Sequence, residues 1–124
     1  MIKEDYVSFE VAKLLKDKGF EQYKCRHSYD SKGMFKWSDN LDPYECSAPT
    51  HQMAMKWLRE VHNIFIYIEP FITTSGLRGY KPYCTKIGGK FMWINPLRKY
   101  SNTLSDTYEE AVEAALKYVL ENLI

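Results

Sequence analysis

The chain has little of what usually announces a function. Its 124 residues include three cysteines, Cys25, Cys46 and Cys84, odd in number and widely spaced. A secreted disulfide scaffold carries a dense, even set, so these are expected to be reduced thiols of a cytoplasmic protein. Charge of one sign is not in excess. Lys plus Arg is 17 and Asp plus Glu is 16, for a net charge of +1, so no global field draws in nucleic acid or an anionic membrane. Long apolar runs are missing as well. The longest, Ile64-Phe65-Ile66-Tyr67-Ile68, has the length of a strand and falls far short of the roughly 20 residues a membrane helix needs. The opening residues Met1 to Tyr6 lack the apolar core of a signal peptide. Internal repeats and low-complexity segments are absent.

What is present is an ordinary globular mixture with an unusual ring content. Apolar residues make up 45% and charged residues 27%, too apolar a balance for a disordered chain. The length suits a single domain over residues 1–124, with well over half of its unfolded surface buried. Ten Tyr, six Phe and three Trp stand out. A tyrosine ring packs inward while its hydroxyl reaches water, so this supply points to strands first and a binding surface second.

The punctuation along the chain predicts the elements. Ser8 can cap a helix whose stripe is Phe9, Ala12 and Leu15, with Val11 and Leu14 beside it. Gly19 falls where a left-handed residue ends such a helix, and Phe20 is placed to touch Leu15, so a helix is expected over residues 8–18. Residues 21–38 read as a hairpin. Tyr23, Cys25, His27 and Tyr29 alternate with Lys24, Arg26 and Ser28, Asp30 to Gly33 supply turn chemistry, and Met34 to Trp37 return. Tyr44-Glu45-Cys46 has the character of a short strand. A second helix is capped by Ser47 or Thr50, with Ala54, Trp57, Leu58 and Val61 as its apolar stripe and Asn63 past its end. Ile64 to Glu69 is apolar on both faces and reads as a central strand, which Pro70 ends or places at an edge. Residues 73–79 read as a flexible loop. Tyr80 to Ile87 and Lys90 to Ile94 flank Gly88-Gly89 as a hairpin, with Pro82 arguing for an edge strand. Thr107 and Glu110 form a capping box for a last helix, whose arc is Ala111, Val112, Ala114, Ala115, Leu116, Tyr118, Val119 and Leu123.

The resulting fold class is α+β. An antiparallel sheet of about 4–6 strands is packed by three helices, in the order α-β-β-α-β-β-β-α. Each consecutive strand pair can be antiparallel, and there is no βαβ series of the kind a doubly wound sheet requires.

Several of these segments also form a familiar ordered set. They are Tyr6 to Phe20, Cys46 to Thr50, Lys56 to His62, Thr107 to Ala111 and Tyr118 to Ile124. In them the chain resembles a family of small uncharacterised proteins of bacteriophages, prophages and mobile elements of gut Bacteroides-type bacteria. The likeness spans nearly the whole chain and is weakest over about residues 70–104. It implies a phage or mobile-element setting in a bacterial cytoplasm. It implies no activity, cofactor or catalytic residue, because the shared segments are helix caps and helix cores.

Candidate chemistry is sparse. Cys25 and His27 are two apart on a strand and can chelate, but the other soft ligands, Cys46, His51, His62 and Cys84, are scattered and meet no zinc spacing. No cysteine sits in a recognisable nucleophile setting, and free cysteine is among the most buried residue types. Glu109, Glu110 and Glu113 suit a helix N-terminus. Asp39, Asp42 and Glu45 share one polar loop. Gly88-Gly89-Lys90 lacks the spacing of a phosphate loop. The expectation is therefore no enzyme, no cofactor and no metal.

Two binding readings stand. In the first, the protein is an interaction module whose partner is itself or another protein, because the apolar and aromatic supply is generous for the size. Its candidate binding surface is Trp37, Arg78, Tyr80 and Trp93, residues in or beside loops and hairpins. In the second, single-stranded nucleic acid stacks on rings interleaved with cations. Those are Tyr23, Lys24, Arg26, Tyr29, Lys36 and Trp37 on one hairpin, and Arg78, Tyr80, Lys81, Tyr83 and Lys86 on another. The neutral net charge and the period-two separation of Lys24 and Arg26 from the rings weigh against it. A membrane partner is not expected.

Overall fold

Ser8 and Gly19 bound the first helix as their chemistry demands. In the computed structural model α1 runs Phe9–Asp17, and the extended Ser8 accepts a hydrogen bond from the Val11 N–H at 3.2 Å. At the other end Gly19 takes φ +99. Its N–H donates to Lys16 O at 3.1 Å, and the Phe20 N–H donates to Leu15 O at 2.9 Å. This pair of bonds is the Schellman ending, with Phe20 and Leu15 both buried. The structure describes residues 2–22, 27–37, 45–72, 74–76, 78–86, 92–94 and 106–124. The side chains of residues 78 and 92–94 lie outside that description.

The described residues form three helices and six strands in the order α1, β1 (His27–Tyr29), β2 (Phe35–Trp37), β3 (Cys46–Ser47), α2 (His51–His62), β4 (Ile64–Ile72), β5 (Arg78–Lys86), β6 (Met92–Ile94) and α3 (Tyr108–Asn122). All strand pairs are antiparallel, so the class is α+β. The strands do not form one sheet, as the sequence suggested, but two sheets of three, β2-β1-β3 and β4-β5-β6. The physical reason is local closure. Each set pairs within a short stretch of chain, where loop-closure entropy is small, and α2 separates the two sets. The chain divides into two compact units, Met1–Ala54 and Met55–Ile124.

In the first unit Asp30 shapes the β1–β2 turn. Its carboxylate accepts from the Lys32 N–H at 2.9 Å and the Met34 N–H at 3.0 Å. The Met34 bond chiefly holds the Asp30 pKa below its usual value. Gly33 follows at φ +81, where an L side chain is strained, and an added Cβ would lie 2.8 Å from the Phe9 ring. β3 pairs with β1 on its other side. Gln22 ties the segment after α1 to β3, because its carboxamide oxygen accepts from the Ser47 N–H at 2.8 Å. The N-terminal stretch is held by backbone bonds. Val7 N–H donates to Pro49 O at 3.0 Å, and His51 N–H donates to Asp5 O at 2.9 Å.

Thr50, not Ser47, caps α2. Its hydroxyl accepts from the Met53 N–H at 3.1 Å, while Ser47 belongs to β3. The buried stripe of α2 is His51, Ala54, Met55 and Leu58. It keeps the expected spacing but begins three residues earlier, and Val61 is left 57% exposed. Asn63 takes φ +57 past the helix end, as expected of a C′ residue.

The second unit is built on a long hairpin. β4 does not end at Pro70 but continues to Ile72, and β5 begins at Arg78, inside the expected loop. β4 is an edge strand and β5 the centre, the reverse of what the two apolar faces of β4 and Pro82 suggested. A proline lacks only one donor, so it needs only one open side. Pro82 faces Ile68 on β4, while β6 pairs only with Cys84 to Lys86. Gly88 and Gly89 lie outside the described residues. Register places Ile64, Ile66, Pro82 and Cys84 on one face of the sheet, and all four are buried. α3 packs against β4 and β5. Its buried arc is Ala111, Val112, Ala115, Leu116, Val119 and Leu120, with Ala114, Tyr118 and Leu123 only half-buried. The Thr107 hydroxyl accepts from the Glu110 N–H at 3.1 Å, and the Glu110 carboxylate accepts from the Asp106 N–H at 3.2 Å. The second bond reaches one residue beyond the usual capping-box partner. Burying Leu116 and Leu120 contributes roughly 1.5–3 kcal/mol each relative to exposure.

Candidate interaction surface

Period-two geometry puts His27 and Tyr29 on one face of β1, opposite Trp37 and Phe35 of β2. These four rings, with Tyr6 and Phe9, form a continuous aromatic cluster in the first unit. His27 stacks on Phe35, with ring centroids 4.8 Å apart and planes within 3°. Trp37 sits 4.5 Å from His27. Tyr6 lies 4.5 Å from His27 and 5.1 Å from Phe35. Phe35 also meets Tyr29 at 5.5 Å, and Tyr29 meets Phe9 at 5.4 Å. The Tyr29 hydroxyl donates to Val7 O at 2.6 Å and fixes the ring in place.

On this sheet the small side chain is buried and the rings are not. In β1 the fully buried residue is Ser28, while its ring-bearing neighbours are half-buried. On β2 the rings face outward: Trp37 is 67% exposed and Phe35 44%, with Met34 beside them also exposed. Lys36 pairs with Ser28 and so lies on the other face from Phe35 and Trp37. Among the described residues of this hairpin, Lys36 is therefore parted from the rings of Phe35 and Trp37. Tyr23, Lys24, Cys25 and Arg26 lie outside the described residues.

The outer face of the second sheet is also aromatic. Tyr67 stacks on Tyr83 at 5.2 Å with planes 14° apart. Phe65 faces Thr85 in the ladder, and both Phe65 and Tyr67 are exposed. Glu69 pairs with Lys81, whose ammonium lies 4.0 Å from the Phe71 ring centroid. The Tyr83 hydroxyl donates to the Glu69 carboxylate, which raises the Tyr83 pKa. The two charges of this ladder pair are opposite in sign, and each meets a ring residue, Lys81 over Phe71 and Glu69 at the Tyr83 hydroxyl.

The four residues expected to form a surface fall in different places. Trp37 belongs to the first unit. Arg78, Tyr80 and Trp93 belong to the second, on β5, β5 and β6. Tyr80 is half-buried, its ring edge-on to Tyr108 at 6.2 Å. The side chains of Arg78 and Trp93 lie outside the described set. Sequence reasoning passed over Phe35, Tyr6, Phe65 and Tyr67 as surface residues. The alternation of Phe35 with Trp37 across Lys36 was a usable signal, since it puts both rings on one face. Nothing in the pattern said that this face would be left open.

The other described side chains that could carry chemistry are the thiols, the histidines and two hydroxyls. Cys46 and Cys84 are fully buried free thiols, and burial pushes the pKa of each up to about 11. Both stay protonated at neutral pH, and a thiol is a weak nucleophile and a poor metal ligand. Among the described residues no cluster of three or more His, Cys, Asp or Glu is placed to hold a metal ion. His27 Nδ1, Ser28 Oγ, His62 Nε2 and Thr85 Oγ1 are buried without hydrogen-bond partners. His27 and Ser28 are neighbours in the chain, and their side chains point to opposite faces of β1. No described helix is long and apolar enough to cross a membrane. No family model, curated protein or solved structure matches the chain.

Proposed function

We propose that the protein is a non-catalytic protein-interaction module of a phage or mobile element, acting in the cytoplasm through its exposed rings. One observation carries this reading: Trp37 and Phe35 stand open to solvent on a backing of stacked rings. Rings held in this way offer large apolar area with little side-chain entropy left to lose on binding. Aromatic residues of this kind dominate binding energy at interfaces. The protonated, buried thiols support a non-catalytic role.

The nucleic-acid reading ranks second because a stacking platform needs cations beside its rings. Lys13 and Lys81 lie over the rings of Phe9 and Phe71, but Lys81 is opposite Glu69, and Lys36 lies on the other face of its hairpin from the exposed Phe35 and Trp37.

The test is affinity capture from the host cytoplasm with wild-type protein and with Trp37→Ala and Phe35→Ala, followed by titration of the purified partner. The expected result is a protein partner whose affinity falls by roughly tenfold or more in each variant, as for a hot-spot ring. Thermal unfolding should stay nearly unchanged. Equal affinity in wild type and variants would refute the proposed surface. Binding to single strands that weakens steeply with salt would replace it with the nucleic-acid reading.

A further inference from the structure

The edges of the two sheets are unequal. β2, β3 and β6 close their sheets as strands of three, two and three residues. Short strands are one of the ways a sheet avoids pairing with another chain. β4 is different. It is nine residues long, it has β5 on one side, and no described strand lies on the other. Its first five residues, Ile64 to Ile68, carry no charge, and Phe65 and Tyr67 are exposed on the outer face.

We infer that the protein forms a twofold dimer in which β4 pairs antiparallel with β4 of a second copy, centred on Ile66. The occupant follows from the side-chain pattern, because this segment is complementary to itself. Around Ile66, Ile64 falls opposite Ile68 of the second copy and Phe65 falls opposite Tyr67. Each inner-face isoleucine therefore meets isoleucine, and each outer-face ring meets a ring. Cross-strand aromatic pairs are among the more stabilising. The rows extend what each copy already has, since Tyr67 is stacked on Tyr83. Charges also fit: Glu69 falls opposite Asn63, so no like charges meet across the axis. Moving the axis by one residue, to Tyr67, would set Phe65 against Glu69 and bring Pro70 into the ladder opposite Ile64. A proline there removes a donor. Glu69 and Pro70 thus limit the pairing to the segment before them.

The same face of each copy is used, so the assembly closes at two. It gives one six-stranded sheet in the order β6-β5-β4-β4-β5-β6, and main-chain hydrogen bonds supply affinity as in other strand additions. This inference rests on the interaction-module reading and names a partner for a different surface. Loss of Trp37-dependent capture would leave it standing, and its own failure would leave that capture intact.

Sedimentation equilibrium over a wide dilution series tests it, on wild type and on two charged pairs of substitutions. One variant is Phe65→Lys with Tyr67→Lys; the other is Phe65→Glu with Tyr67→Glu. Wild type should show reversible monomer–dimer behaviour. Each variant alone sets like charges opposite one another twice and should dimerise roughly tenfold more weakly or worse. An equimolar mixture should recover a dimer with one copy of each. A wild-type monomer at every concentration would overturn the inference, as would a dimer that neither variant weakens. Hydrogen exchange on wild type gives a reading that needs no variant to fold. Amides of residues 64–68 should exchange more slowly at high concentration than at low, and equal protection at both would also overturn it.

Discussion

The two sheets solve the same problem with different means. Both have three antiparallel strands and both leave an aromatic face in contact with water. In the second unit the long β4–β5 hairpin offers an aliphatic face, and α3 packs against these strands. In the first unit the strands are short, and the rings of Tyr6, His27, Phe35 and Trp37 lean on one another. The lesson is that ring content was not core content. Among the described residues Phe20 is the one Phe, Tyr or Trp among the buried hydrophobic side chains, which are otherwise Val, Ala, Leu, Ile, Met and Cys. Aliphatic side chains fill the interior, and the rings are spent on surfaces.

That contrast can be broken most forcefully through the aliphatic cores. Leu15→Ala in the first unit and Leu116→Ala in the second both remove fully buried side chains. Each should cost about 2–5 kcal/mol in urea unfolding. A loss near zero at either position would mean that its unit is not held by its aliphatic interior.

Alkaline pH probes the same two interiors through their thiols. Below pH 9 the folded and unfolded thiols are both protonated, and stability is unaffected. Above an ordinary pKa of 9.0 the unfolded thiol loses its proton, while Cys46 and Cys84 hold theirs to about 11. The unfolded state then binds fewer protons, so stability falls as pH rises from 9 to 11. The loss should reach on the order of 2 kcal/mol per thiol. Cys46→Ala with Cys84→Ala should flatten this slope in unfolding curves taken across that range, and an unchanged slope would assign it to other groups.

The turns separate the units further. Gly33 and Gly76 both adopt left-handed φ, at +81 and +85. Alanine at either should cost about 1–2 kcal/mol from the backbone alone. Only Gly33→Ala also drives a Cβ to 2.8 Å from the Phe9 ring, whereas nothing lies within 4 Å of a Cβ at Gly76. Thermal unfolding should therefore rank Gly33→Ala below Gly76→Ala, and equal melting temperatures would show that Phe9 moves aside freely.

The smallest expected effect is at the helix caps. Ser8→Ala and Thr107→Ala each remove one acceptor from a first-turn N–H and should cost about 1 kcal/mol. Chemical denaturation that finds no loss at Thr107 would show that Glu110 holds the start of α3 without it.

Legibility followed the range of the interactions. Ser8, Gly19, Phe20, Asn63 and Thr107 act on neighbours within a few residues, and the structure places each in its expected role. The β1–β2 turn was legible for the same reason, since Asp30 and Gly33 satisfy it locally. The stripe of α2 was misplaced because two overlapping sets of residues have the same helical spacing, and only packing chooses between them. Of the candidate surface, Trp37 was visible as an exposed ring in a hairpin. The contact of Tyr6, which lies far off in sequence, with the neighbouring rings of His27 and Phe35 was not.

Amino-acid identity by itself determined where α1 and α3 start, where α1 and α2 end and where the β1–β2 turn falls, because these are settled by backbone chemistry over short spans. Tertiary structure alone decided that the six described strands make two sheets, that β4 takes the edge and β5 the centre, and that Phe35 faces water beside Trp37. Pairing partners and cover for a face come from distant segments, and a strand with two apolar faces gives no sign of which one will find its cover.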